Sequence, residues 1–349
     1  MKHQKIESLV VFETFKILFV ILISLNILFA QSKTVIPILS LPQGESPEGI
    51  AIDNLGNIYI SNTKGVERSI NEILHVEPNG TYTVFATLPG KGHARGLAAD
   101  LSGNVYAAFA TEDTNTNGVY QIGHDGNPLH LNGSEQMGSP NSLTFDDLGN
   151  LYVTDSYKGP NFEGSVWCYN KSEQVFKLYI KDPLLDGGVP LDGPPFPLPG
   201  ANGIAFYPPN KLYVANTKES SIICITIGEP GNEPTIELVK KDSLLMNIDG
   251  IAVDEHENIY GVLPPSTLGA LGTPSVPPLV KLDIKSGVVS SVFEDNSFFD
   301  TPTSLAFGKG SENQINIFIA NAALQYGQPP SAGPGVVKAE INRFGNGNE

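Results

Sequence analysis

Glu48-Gly49-Ile50-Ala51-Ile52-Asp53-Asn54-Leu55-Gly56-Asn57-Ile58-Tyr59-Ile60 carries two strand-like runs around one tight reversal. Ile50 and Ile52 in the first run and Ile58, Tyr59 and Ile60 in the second are strand formers, while Asp53, Gly56 and Asn57 supply turn chemistry, so the stretch predicts a β-hairpin. Its opening phrase returns as Arg95-Gly96-Leu97-Ala98, Asn141-Ser142-Leu143-Thr144, Asn202-Gly203-Ile204-Ala205, Asp249-Gly250-Ile251-Ala252 and Thr303-Ser304-Leu305-Ala306. The turn returns at residues 100–104 and 146–150, changes to Asp254-Glu255-His256-Glu257-Asn258, and becomes Tyr207-Pro208-Pro209-Asn210 in the fourth copy.

The copies start at 48, 95, 141, 202, 249 and 303, and two further strand-like runs usually follow each hairpin. In the first unit these are residues 70–76 and 82–88; in the third, 165–169 and 175–180. Four strands at a period of about 40–50 residues define a propeller blade, and the helical periodicity of a βαβ array is absent. The expected fold is an all-β, six-bladed β-propeller. The last copy supplies strands only at its start, at 315–320 and at 336–341, whereas residues 34–40 stand unpaired before the first blade. The N-terminal strand is therefore expected to complete the sixth blade, closing the ring and protecting its edges.

Residues 17–29 form an apolar run broken only by Ser24 and Asn26. It is short for a membrane span of about 20 residues and ends at Ala30, so residues 1–30 read as a signal peptide, with an N-terminal anchor as the alternative. Residues 31–349 are then a single propeller domain, secreted or periplasmic and without membrane association after cleavage. The net charge of −16 argues against nucleic-acid and anionic-membrane partners, which need a basic patch. Cys168 and Cys224 occupy equivalent positions in neighbouring units, whose strands diverge, so free thiols are expected rather than a disulfide.

Inner strands of a propeller start at one face of the central channel, so the six head residues, Glu48, Arg95, Asn141, Asn202, Asp249 and Thr303, should ring that mouth. Pro- and Gly-rich insertions at 183–200, 263–278 and 324–335 fall on the same face, as walls or a lid. Glu48, Asn141, Asn202 and Asp249 offer two carboxylates and two amide oxygens, the donor set of a hard cation, with Ca²⁺ favoured over zinc or magnesium. A hydrogen-bonded polar channel is the competing reading, since Asn-Gly and Asp-Gly are also ordinary turn dipeptides.

Arg95 would repel a cation unless it pairs with Glu48 or Asp249, or else it binds substrate, with Asn141 and Thr303 as further substrate contacts. His93, two residues earlier, is a candidate general base. Asp53, Asp100, Asp146 and Asp254 read as local turn residues on the far face. Trp167 and the Tyr59, Tyr106, Tyr152, Tyr213 and Tyr260 series read as packing between blades, and Asp155, ending a second strand, as a residue within reach of the pocket.

Asn202-Gly203-Ile204-Ala205-Phe206 followed by Leu212-Tyr213-Val214-Ala215-Asn216, together with Asp249-Gly250-Ile251-Ala252-Val253-Asp254 and Ser46-Pro47-Glu48-Gly49, resembles a known superfamily. It is that of senescence-marker-protein, gluconolactonase and luciferin-regenerating enzyme, with NHL-repeat and paraoxonase relatives. The resemblance covers nearly all of the mature chain. It implies a divalent ion held by Glu48, Asn202 and Asp249, with Asn141 a metal or substrate ligand. It also implies hydrolysis of a lactone or related ester in which the metal polarises the carbonyl and Asp249 doubles as base.

Two positions depart from the family's patterns: Ser139 stands where the gluconolactonase branch has Arg, and Arg95 where the paraoxonase branch has His. The expected function is a monomeric, calcium-dependent lactonase- or esterase-like hydrolase. The competing one is a non-catalytic NHL-like propeller that binds a protein or glycan through its insertion-rich face.

Overall fold

The computed structural model describes residues 33–77, 79–189, 197–229, 231–264, 277–293, 298–308, 314–323 and 333–342. The leader and most of the three insertions lie outside the described residues. Six four-stranded antiparallel sheets follow one another along the chain, each a blade. Their inner strands are Ser46–Ile52, His93–Ala99, Pro140–Phe145, Ala201–Tyr207, Ile251–Val253 and Pro302–Gly308. Among the described residues no helix is long and apolar enough to cross a membrane.

The sixth blade is built as expected. Strands Pro302–Gly308, Gln314–Asn321 and Gly335–Asn342 take Lys33–Ser40 as their fourth, which pairs antiparallel from Lys33 opposite Ile341 to Ser40 opposite Gly335. The ladder shifts register just after Pro37, a residue without an N–H and so suited to an outer edge strand.

Between blades the core falls into six apolar clusters, one per interface. Tyr59 and Ile73 meet Leu97, Val105 and Phe109, and Tyr106 and Val119 meet Leu143, Leu151 and Trp167. Tyr152 and Val166 meet Ile204 and Ile223, and Tyr213 and Ile222 meet Ile251 and Ile259. Tyr260 and Leu279 meet Leu305 and Ile317, and Ala320 and Val336 meet Ile50 and Ile60, which brings the packing back to the first blade. Trp167 and the tyrosine series are thus interface residues; Tyr106 and Phe145 stack edge-on at 5.0 Å across one such boundary. Both cysteines are free, Cys224 buried and Cys168 only partly so, with burial raising their thiols to about 11 and about 12.

The Asp turns are local. Asp146 Oδ1 accepts the Leu148 and Asn150 backbone N–H groups at 2.9 and 2.8 Å, and Oδ2 accepts Asn150 Nδ2 at 2.8 Å. Gly56, Gly103 and Gly149 take positive φ in these turns, and Glu257 adopts φ 66° at the same place in the fifth blade. Asp146→Ala removes these acceptors together and should cost about 1–2 kcal/mol in urea denaturation, without altering any property of the channel mouth.

Candidate metal and substrate site

The head residues occupy one repeated local distortion. In five of the six blades the ladder between the first and second strands lapses across the head: between Pro47 and Ile50, Ala94 and Leu97, Pro140 and Leu143, Ala201 and Ile204, and Pro302 and Ser304. Such bulges re-aim a side chain, here out of the blade's pleat. In the fifth blade Asp249 lies just ahead of the strand, tied by its N–H to Val262 O at 3.0 Å.

The residue after each head explains why Gly recurs there. A Cβ on Gly49 would lie 2.2 Å from Arg95 O, one on Gly96 2.5 Å from Asn141 O, and one on Gly203 2.4 Å from Asp249 O. Each glycine lets the next head's backbone close in, so the constant half of the phrase sets the width of the ring that the variable half lines.

Thr303 makes the last link, donating its hydroxyl to Glu48 O at 3.0 Å. The hydroxyl, read from sequence as a substrate contact, thus helps join the sixth blade to the first, with Ala320 O of its own blade as a longer acceptor at 3.4 Å. Thr303→Val should cost about 1 kcal/mol, read by urea denaturation.

Two hydroxyl relays orient the asparagines. Ser156 Oγ donates to Ala201 O at 2.9 Å and so must accept from Asn141, whose Nδ2 lies 2.8 Å away. Thr217 Oγ1 donates to Ile248 O at 2.7 Å and accepts Asn202 Nδ2 at 2.9 Å. The Asn141 amide nitrogen is therefore turned to the wall and that of Asn202 is shared between Thr217 and Asp249, which leaves Oδ1 of each as the atom free to accept or ligate. The Asn202 amide also bonds the Asp249 carboxylate.

Burial first, and then the negative charge of Glu48, push Asp249 well above the usual carboxylate range; the Asn202 bond and Arg95 only partly offset this. Glu48 has the same burial penalty, but His93, Arg95 and Arg68 outweigh it and hold its carboxyl below the usual value. His93 Nε2 lies 2.9 Å from Glu48 Oε2, and Arg95 Nε 3.9 Å from Oε1. Arg95 Nη1 donates to Ser139 Oγ at 2.8 Å, so a guanidinium from the second blade reaches the very position where the sequence departs from the gluconolactonase pattern.

Asp155 does not face the pocket. It is fully buried and accepts the Gly138 and Ser139 backbone N–H groups at 2.8 and 2.6 Å, with burial outweighing those bonds to raise its carboxyl. Asn62, Asn216 and Asn321 occupy the same register in their blades. Asn216 Nδ2 holds Leu184 O and Asp186 O, and Asn321 Nδ2 holds Phe298 O. This second repeated position ties down the loop entering the inner strand in the first, third, fourth and sixth blades.

Ser156 and Thr217 escaped the sequence reading, and Ser139 entered it only as a departure from the gluconolactonase pattern. The only local signal was a hydroxyl following a polar strand end, in Asp155-Ser156 and Asn216-Thr217. Among the described residues no group of three or more His, Cys, Asp and Glu side chains is arranged to hold a metal. The set assembled here has two carboxylates, and its other oxygens come from amides.

Fold and site together define a six-bladed propeller with a polar, oxygen-rich ring at one channel mouth. No family model and no curated protein matches the sequence. Among solved structures, a gluconolactonase from Xanthomonas campestris is similar at 15% identity, over 88% of this chain and 90% of that one, with a TM-score of 0.61. A luciferin-regenerating enzyme is similar at 14% identity, over 90% and 98%, with a TM-score of 0.60. A calcium-binding protein, regucalcin, from Agrobacterium tumefaciens is similar at 15% identity, over 88% and 94%, with a TM-score of 0.58. The chain has the fold of these proteins, as its repeated motifs led one to expect.

Proposed function

We propose that the chain is an exported, calcium-dependent hydrolase of small lactones or related esters, working at the channel mouth. The observation that carries this reading is the orientation of Asn141 and Asn202, whose relays to Ser156 and Thr217 fix two amide oxygens beside the carboxylates of Glu48 and Asp249. The donor set suits a hard divalent ion, because all its atoms are oxygens and Asp249 is a half-buried carboxylate short of positive charge. The gluconolactonase and regucalcin likenesses support the same reading at the level of the fold.

Glu48, Asn141, Asn202 and Asp249 would hold the ion, which when bound supplies Lewis-acid polarisation of the ester carbonyl. Asp249 would also be the group to accept a proton from attacking water. Arg95, fixed by Ser139, offers N–H groups to an oxygen that gains negative charge. His93, already bonded to Glu48, can share a proton with that carboxylate at the rim.

The test is calcium titration by calorimetry of the full chain stripped with chelator, alongside a panel of lactones, esters and phosphotriesters. One calcium per chain is expected, with hydrolysis lost on chelation and regained on adding calcium. Absence of calcium binding sinks the reading. Binding with no turnover across the panel selects the non-catalytic propeller instead; one observation favours that alternative, namely that His93 and Arg95 already satisfy Glu48 without a metal.

A further inference from the structure

Of the 21 Lys and Arg residues only three are arginines, Arg68, Arg95 and Arg343. Both described ones stand on the face where the heads converge. Arg68 lies in the loop between the second and third strands of the first blade. It ends the short 3₁₀ turn Val66–Arg68, in which Glu67 (φ 54°) and Arg68 (φ 57°) are both left-handed. Two successive left-handed residues other than Gly are strained and persist only where surroundings impose them. Those surroundings are visible: Gly92 N donates to Arg68 O at 3.2 Å and Asn71 Nδ2 to the same oxygen at 3.1 Å. The loop is thereby fastened to the segment that leads into His93 and Arg95.

The fastening presents an exposed guanidinium with no partner among the described residues. Glu67, its neighbour, is paired with Lys91, and Glu48 is paired with His93 and Arg95. Among the described residues Arg68 makes no side-chain hydrogen bond or ion pair, although its charge is near enough to lower the Glu48 carboxyl. Arg95 has Nη1 on Ser139 and Nε toward Glu48, which leaves the rest of its planar fork free. In a chain of net charge −16, two of three arginines directed to one mouth, one of them held unpaired by a strained turn, are poorly explained by packing.

We propose that Arg68 and Arg95 form a carboxylate-recognising pair, and that the site takes lactones or esters bearing a carboxylate group. This rests on the reading of the channel mouth as the substrate site. A guanidinium offers parallel N–H donors matched to the two oxygens of a carboxylate, a geometry that lysine lacks. Arg95 would grip the end of the substrate nearer Glu48 and Arg68 the carboxylate end at the rim.

The test uses the calcium-loaded full chain with two probes of nearly equal size, 5-oxotetrahydrofuran-2-carboxylate and its uncharged carboxamide. Binding is followed by ligand-observed NMR and turnover separately by acid release. The carboxylate should bind about tenfold or more tightly than the carboxamide. Arg68→Gln should cut that preference to a third or less, while Arg68→Lys should retain part of it, with circular dichroism confirming the fold of each variant. Equal affinity for the two probes, saturable binding of neither, or an undiminished preference in Arg68→Gln overturns the proposal. Turnover of both lactones without a binding preference overturns it and leaves the hydrolase reading intact; a binding preference without turnover does the reverse.

Discussion

Asp249→Asn is expected to make the metal-free chain more stable at neutral pH and, in the same variant, to abolish calcium-induced stabilisation and cut lactone hydrolysis by about a thousandfold or more. The opposite signs follow from one cause. Asp249 is half-buried, its carboxyl desolvated beside the negative Glu48, so its folded-state pKa stands well above its unfolded value. A group raised in this way favours the folded state below the unfolded carboxylate pKa, and that contribution is lost as pH rises through the folded value. At pH 7, well above the unfolded carboxylate value, Asp249 in the metal-free site is therefore a burden that the neutral amide lifts. The checks are thermal midpoints of apo and calcium-loaded protein from pH 4 to 8. Wild-type apo protein should lose stability toward the upper end of that range relative to Asp249→Asn. An apo midpoint lower in the variant at pH 7 would contradict the electrostatic account of the site.

Gly203→Ala adds a methyl that the inner ring has no room for and should cost more than about 3 kcal/mol or prevent folding. The added Cβ would lie 2.4 Å from Asp249 O, 2.8 Å from Ile251 N and 2.9 Å from the Gly250 Cα, all backbone atoms of the next blade. No rotamer change can relieve such a contact; the fifth blade must move outward, and Asp249 with it. The control is Gly149→Ala, where φ is 82° but nothing lies within 4 Å of the added atom. There the cost is only the left-handed backbone, about 1–2 kcal/mol. Urea denaturation of the pair separates crowding from conformational strain, and similar losses in both would refute the close-packed ring.

The blade count, the hairpins and the closing strand could be read in the sequence because each depends on neighbours only a few residues apart or on a strict repeat. Residues 70–76 and 82–88, for example, are strands as expected. What the sequence left hidden acts across blades. The Ser156 relay joins Asn141 to Ala201, and the Arg95 guanidinium spans 44 positions to reach Ser139. Neither link has a local pattern, since its partners are brought together only by closure of the ring. Asp155 shows the converse: a polar strand end looked available to the pocket, but the same register serves in other blades to hold entry loops, and burial completes that role. The bulge, too, was invisible, because a Gly after a polar residue is equally good turn chemistry.

The pairing of Lys33–Ser40 with Gly335–Asn342 makes the ring a clasp rather than a loop: the closing strand is held by non-covalent contacts, a hydrogen-bonded ladder and the packing of Leu39 beside Val336. Directly inside that clasp, Thr303 of the final blade holds the backbone of Glu48, the first residue of the oxygen ring. An ion drawn onto Glu48 and Asp249 would bridge the blades on either side of the sixth, so opening the clasp and losing the ion become one coupled equilibrium. Saturating cation should then slow fraying of the N-terminal strand, and anything that loosens that strand should lower affinity at the mouth by the same free energy.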